Sequence, residues 1–186
     1  MRISKAQAQA NRERVVATAS ELFRTRGFDG VAVGDLMQAA GFTHGGFYNH
    51  FGSKAALAAK AVEAAWTQMG EQRARAGSLA KLLPAYLSPA ARRAPGKACP
   101  AAALAGDVSR QPDAVKAVFA DGLEAMIASV EAGLPASEGR REQAVNLVVR
   151  MVGALALSRA APDDSPLAAE LLDAPLRASL KEVGEG

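Results

Sequence analysis

"GFTHGGFYNHFGSKAAL", Gly41 to Leu57, concentrates residues that are scarce elsewhere in this chain. Both histidines, one of two tyrosines, three of six phenylalanines and four glycines fall inside it. Working outward, the residues just before it, Val33 to Ala40, fit a short helix with Leu36 and Met37 turned inward and Gly41 as its stop. Within the stretch, Thr43 reads as a capping residue and His44 to His50 as a second short helix. "FGSK" then breaks the pattern, and Ser53 can cap a long helix reaching about Ala76. Helix, glycine turn, helix is the resulting order.

The remainder of the 186 residues reads as helix almost throughout. Alanine, leucine, glutamate and arginine dominate, and alternating β-branched runs are missing. A first helix is expected from about Gln7 to Arg26, because Val15, Val16, Ala19, Leu22 and Phe23 recur at helical spacing before Gly27. Beyond Gly77, segments bounded by Pro, Gly or Ser fit Leu79 to Leu87, Pro100 to Arg110, Pro112 to Leu134, Ser137 to Ala161 and Pro166 to Val183, which makes nine helices in all. "SPAARRAPGKACP", Ser88 to Pro100, carries three prolines and reads as a loop. "AVNLVVRMVGALAL", Ala144 to Leu157, is apolar on most of its circumference and demands cover on every side. The last helix adds a leucine stripe interrupted by Pro175, where a kink is expected. Two apolar C-terminal helices per chain can close with a second copy as a four-helix bundle, so a homodimer is expected.

Charge and composition narrow the function. Residues 1 to 76 hold ten Lys/Arg against six Asp/Glu, and residues 77 to 186 hold twelve against thirteen, so the positive surplus sits at the N-terminal end and favours an anionic partner there. One cysteine excludes an internal disulfide and fits a reducing, cytoplasmic compartment. The N-terminus lacks the apolar core of a signal peptide, and no run approaches the roughly 18 apolar residues of a membrane helix, so no membrane partner is expected. No catalytic motif is present: no Gly-x-Ser-x-Gly, no Gly-Lys-Ser/Thr phosphate loop and no His-Glu-x-x-His. His44 and His50 would stand about 120° apart on a helix, the wrong geometry for a metal pair. Neither an enzyme nor a cofactor or metal site is expected.

The helix-turn-helix order has a physical use. The second helix of such a unit enters the major groove of double-stranded DNA while the first crosses the backbone. Phe28, Leu36, Phe42 and Phe51 can form the small core that fixes the two helices, while Tyr48, His44 and His50 carry polar tips on flat bodies suited to phosphates or base edges. Lys54 would sit in the first turn of the long helix, where free backbone N–H groups attract phosphate. Gly45 and Gly46 are costly in a helix, about 1 kcal/mol each relative to alanine, which implies that the backbone there approaches something closely.

On these residues the chain resembles a known family. "ANRERVVATASELFRTRGFDGVAVGDLMQAAGFTHGGFYNHFGSKAALAAKAV", Ala10 to Val62, is similar to the N-terminal domain of the Tet repressor (TetR/AcrR) family of bacterial transcriptional regulators. The resemblance rests on the order of "ATASELFRTRGFDG" and then "AAGFTHGGFYNHFGSKAAL", ending in Tyr-x-x-Phe, Ser-Lys and Leu. It implies an all-α protein: a three-helix helix-turn-helix domain over residues 1–54, with the fourth helix shared, and an effector-binding and dimerisation domain over residues 55–186. It further implies a homodimer through helices eight and nine, a palindromic DNA operator, and a small-molecule effector that releases the repressor. Carried onto this chain, Thr43, His44, Gly45, Gly46, Phe47, Tyr48, His50 and Lys54 are the expected DNA-binding residues, with Phe47 and Tyr48 facing the groove or backbone. Ala32 and Gly34 depart from the family's hydroxyl and polar residues at the start of the second helix, which removes a cap and a phosphate donor.

Trp66, Met69, Tyr86, Cys99, Phe119 and Met126 lie where this family lines its pocket, and they imply a largely apolar effector. Cys99 opens a helix, a position that favours thiolate, which makes it a candidate sensor of oxidants or electrophiles. The competing reading is an all-helical small-molecule-binding protein or enzyme without DNA binding.

Overall fold

The computed structural model describes residues 4–184, which form nine α-helices and two 3-10 helices with no strand among them. Helix α1, Lys5–Arg26, starts at Ser4, whose hydroxyl accepts from the Gln7 amide, and stops at Gly27, which adopts φ +72° and donates to the Phe23 carbonyl. Helix α2 is Val33–Ala39. It ends in a Schellman turn: Phe42 N–H donates to Met37 O at 2.8 Å, Gly41 N–H to Gln38 O at 3.0 Å, and Gly41 sits at φ +82°. That conformation is strained for any residue with a Cβ, so glycine at this position sets the angle at which the chain leaves α2.

The next segment differs from expectation. His44–Asn49 is a 3-10 helix, and the Thr43 side chain makes no capping hydrogen bond. The segment is only six residues long and contains two glycines, so it gains little from α-helical propensity and settles into the tighter turn. Helix α3, Lys54–Ala76, does begin at Ser53, which accepts from the Ala56 amide at 3.0 Å, and it ends at Gly77 with φ +75°.

The N-terminal unit closes around Phe23, Phe28, Leu36, Met37, Phe47, Phe51 and Leu57, all buried. Phe23 and Phe28 stack with ring centroids 5.1 Å apart, and Phe47 and Phe51 at 5.7 Å. Phe42, expected in this core, is only half-buried and lies against it, under the Arg14 guanidinium.

Helix α3 leaves this unit and packs along both α1 and the body. The body contains α4 Leu79–Tyr86, α5 Pro89–Arg93, a 3-10 turn Pro95–Lys97, α6 Pro100–Val108, α7 Asp113–Ala132, α8 Arg140–Ala160 and α9 Pro166–Gly184. The stretch Ser88 to Pro100 is therefore ordered as α5 and a 3-10 turn, not a loop. Ser88 caps α5 by accepting from the Ala91 amide, Pro89 starts it, and buried Arg92 anchors it by donating to the carbonyls of Ser158 and Ala161. Helix α9 runs continuously through Pro175. Helix α8 is covered on one side by α7 and α9, burying Leu147, Val148, Met151 and Leu155, while Val149 and Leu157 stay open at 65% and 58% exposure. Among the described residues no helix is long and apolar enough to cross a membrane, and no cluster of His, Cys, Asp and Glu could hold a metal ion.

Candidate functional site

The 3-10 helix presents one face to solvent and one to the core. Thr43, His44, Gly45 and Tyr48 are exposed, Tyr48 to 68%. His44 and Tyr48 meet edge to face with centroids 6.4 Å apart, forming a continuous aromatic and polar ridge. Phe47 belongs to the opposite face. It is 1% exposed and packs edge-on beneath Tyr48 at 5.2 Å, which corrects the expectation that its ring faces a groove. The Phe47 ring packs against Phe51 in the buried cluster that also holds Met37.

His44 also leans over the start of α2: a Cβ built on Gly34 would stand 3.4 Å from its Nδ1, an ordinary contact distance. No side chain caps Ala32, and the first α2 amides are left without side-chain acceptors at that end. Gly45 faces open space, and a Cβ at Gly46 would make only ordinary contacts, 3.6 Å to Met37 Cε. Neither glycine is required by the protein's own packing.

His50 and Lys54 are half-buried at the far end of the ridge. The His50 carbonyl accepts from Arg12 Nη1 at 2.6 Å, and the same guanidinium lies 4.4 Å from the Phe51 ring centroid. Arg12 thus clamps α1 to the end of the 3-10 helix. Sequence reasoning missed it, because the two residues are 38 positions apart and a basic residue on an amphipathic helix carries no local sign of its partner. The carbonyl it fixes sets the entry to α3, where Lys54 is the first helical residue.

The body contains a second site, a cavity of about 330 Å³ between α3, α4, α5 and α8. Of the six pocket residues expected from sequence, Met69, Tyr86 and Cys99 line it, with Leu82 and Leu155. Trp66, Phe119 and Met126 do not. Trp66 packs edge-on against Phe119 at 5.7 Å and directly over Gly122, and Met126 is fully buried, so these three form the seam between α3 and α7. The small residues that open the cavity, Ala90, Ala91, Ala94 and Ala98, come from the stretch read as a loop. Cys99 is 1% exposed, directly precedes α6 and lies beside the Tyr86 hydroxyl, whose pKa is pushed well above its usual value mainly by burial.

Comparison with known proteins agrees with this architecture. Residues 15–61 match the family of bacterial regulatory proteins described as the tetR family. No curated protein sequence matches the chain. Among solved structures, Escherichia coli NemR in its reduced form is similar over 93% of this chain and 97% of its own, with 21% identity and a TM-score of 0.77. A TetR-family transcriptional regulator from Cytophaga hutchinsonii is similar over 100% and 98%, with 16% identity and a TM-score of 0.80. A TetR transcriptional regulator from Chloroflexus aurantiacus is similar over 97% and 95%, with 25% identity and a TM-score of 0.65. The likeness spans both the helix-turn-helix unit and the helical body. Residues 15–61 thus match the tetR family of bacterial regulatory proteins, and the whole chain shares the fold of these solved structures.

Proposed function

We propose that this protein is a DNA-binding transcriptional regulator, a homodimeric repressor released from a palindromic operator by a small molecule, working in the cytoplasm. The observation that carries the reading is the exposed His44–Tyr48 ridge, held rigid by Phe47 beneath it and by the Schellman turn at Gly41. A ridge of this width suits a major groove, with Thr43, His50 and Lys54 at its ends meeting phosphates. The dimer is supported by Val149 and Leu157 on α8 and Leu167 on α9, large apolar side chains that the protomer leaves exposed. Two heads joined through α8 and α9 would read half-sites about 34 Å apart.

Residues 1–54 would form the DNA-binding domain and residues 55–186 the effector and dimerisation domain, with α3 shared. Met69 of α3 forms part of the cavity wall, so an occupant presses on the same helix that orients Lys54. By linkage, an effector that weakens DNA binding by some factor is itself bound more weakly by that factor on DNA.

A gel-shift titration with DNA from upstream of the protein's own gene tests the reading. Retardation that falls steeply with rising salt is expected, since each neutralised phosphate releases counterions. No retarded band at low salt with any fragment would leave an all-helical small-molecule-binding protein or enzyme as the better account.

A further inference from the structure

Another cavity, of about 520 Å³, opens where α1 meets the body, between α1, α5, α6 and α8. Four arginines line it, Arg24 from α1, Arg92 and Arg93 from α5 and Arg159 from α8, against one carboxylate, Asp163. Hydrogen bonds to the backbone hold three of them in place. Arg92 donates from Nε to the Ser158 carbonyl, and Arg159 donates from Nε and Nη2 to the carbonyls of Arg92 and Ala91, so the two side chains cross between α5 and α8. Arg24 donates to the Ala98 carbonyl, just past the 3-10 turn whose Pro95 also lines the cavity. The rest of the wall is mostly alanine, Ala102, Ala103, Ala156 and Ala160, which leaves the space open.

The cations outnumber their partners. Asp163 pairs with Arg92 and is itself 89% exposed. Arg93 is exposed and makes no hydrogen bond or ion pair among the described residues. Arg159 keeps its Nη1 without an acceptor. Desolvation is the main cause that lowers the pKa of both Arg24 and Arg159; Glu21 offsets it only in part at Arg24, and Arg92 adds to it at Arg159. Like charges crowded into a partly desolvated cleft repel, and an anion placed among them relieves that repulsion. A phosphoryl group matches the deficit better than a carboxylate does. It carries about −1.5 to −2 charge at pH 7 with three acceptor oxygens, and the planar fork of arginine suits it. The volume falls in the range of roughly 300–1,000 Å³ common for ligand pockets, which leaves room for an organic group beyond the phosphate.

We propose that this cleft binds a phosphoryl dianion, carried by a small organic molecule or free as phosphate, with Arg93 reaching its oxygens and Arg24, Arg92 and Arg159 supplying fixed positive charge. Its lining comes from α1 on one side and from α5, α6 and α8 on the other, so an occupant sits across the joint between the N-terminal unit and the body. The cleft shares no lining residue with the apolar cavity beside Tyr86, and the inference does not depend on the function proposed above.

The test is calorimetric titration of the full chain, at fixed ionic strength, with phenyl phosphate, inorganic phosphate and benzoate. Phenyl phosphate is expected to bind about tenfold or more tightly than the singly charged benzoate. Inorganic phosphate that binds as tightly as the ester assigns the site to free phosphate, and weaker binding assigns it to a phosphomonoester; both uphold the phosphoryl site. Arg93→Gln removes an exposed, unpaired cation, so it should cut the affinity about threefold or more while leaving Tm unchanged. Ala103→Glu brings a carboxylate of the protein's own into the cleft and should cut the affinity about tenfold or more. Thermal unfolding checks that each variant is folded, and Arg93→Gln decides alone if Ala103→Glu is not. Benzoate that binds as tightly as phenyl phosphate, no binding of either phosphate, or an affinity unchanged in Arg93→Gln would overturn the proposal.

Discussion

Arg24 donates from Nη1 to the carbonyl of Ala98 at 2.9 Å, joining the first helix to the residue that precedes Cys99. The same buried guanidinium donates from Nη2 to Gln68 of α3 at 2.8 Å and from Nε to the Ser20 carbonyl. One side chain therefore ties the N-terminal unit to both α3 and the cavity wall. The approach is close: a Cβ on Gly96 would meet Glu21 Cγ at 2.7 Å and Thr25 Oγ1 at 2.8 Å.

Replacing Arg24 with methionine leaves Ala98 and Gln68 without their charged donor. Urea unfolding is expected to show a loss of about 2–3 kcal/mol, the range for hydrogen bonds to charged groups plus an unsatisfied acceptor. In the same variant, a ligand that releases the parent from DNA should change DNA affinity less. An unchanged ligand effect would mean that the coupling runs through α3 alone.

Phe47 and Tyr48 are neighbours in sequence but should respond oppositely. Phe47→Ala empties a buried site and should cost about 3–5 kcal/mol by thermal or urea unfolding. Tyr48→Ala lies at the surface and should stay within about 0.5 kcal/mol of the parent, while weakening DNA binding in a gel shift. Lys54→Gln should lower the salt slope of binding by about 0.9 per protomer, about 1.8 for the proposed dimer on DNA.

Gly45→Ala and Gly46→Ala should each raise stability by about 0.4–1 kcal/mol, because the protein has room for either methyl group. If the backbone approaches DNA here as proposed, operator affinity should fall nonetheless, since a new Cβ would stand in that contact. Gains in Tm with unchanged affinity in both variants would show that the glycines serve no contact.

Val149→Glu combined with Leu157→Glu places charge on two apolar side chains that the protomer leaves exposed. Sedimentation velocity is expected to show a shift from dimer to monomer, with little change in helical content by circular dichroism. A parent protein that sediments as a monomer, or a variant that remains dimeric, would place the interface elsewhere.

Much of the fold was legible from local rules. The cap at Ser53 and the stops at Gly27, Gly41 and Gly77 depend on neighbours within four or five residues, so the helix ends they set could be read directly. The 3-10 geometry of His44–Asn49 was not legible, because in so short a segment bonding three residues back or four differs by a small energy that local propensity does not resolve. Nor was the order in Ser88 to Pro100, which depends on Arg92 reaching carbonyls near the end of α8, 66 or more residues away.

The sequence by itself determined an all-helical chain, the position of the helix-turn-helix, the glycine that turns it and the family to which its N-terminal segment belongs. Those properties arise from spacing along the chain, where propensity, capping and apolar period act over a few residues. Only the tertiary structure decided that Phe47 points inward while Tyr48 points out and that Arg12 and Arg24 are tethers. Those are properties of side chains brought together from distant helices, and burial, which sets their cost, exists only once the helices have packed.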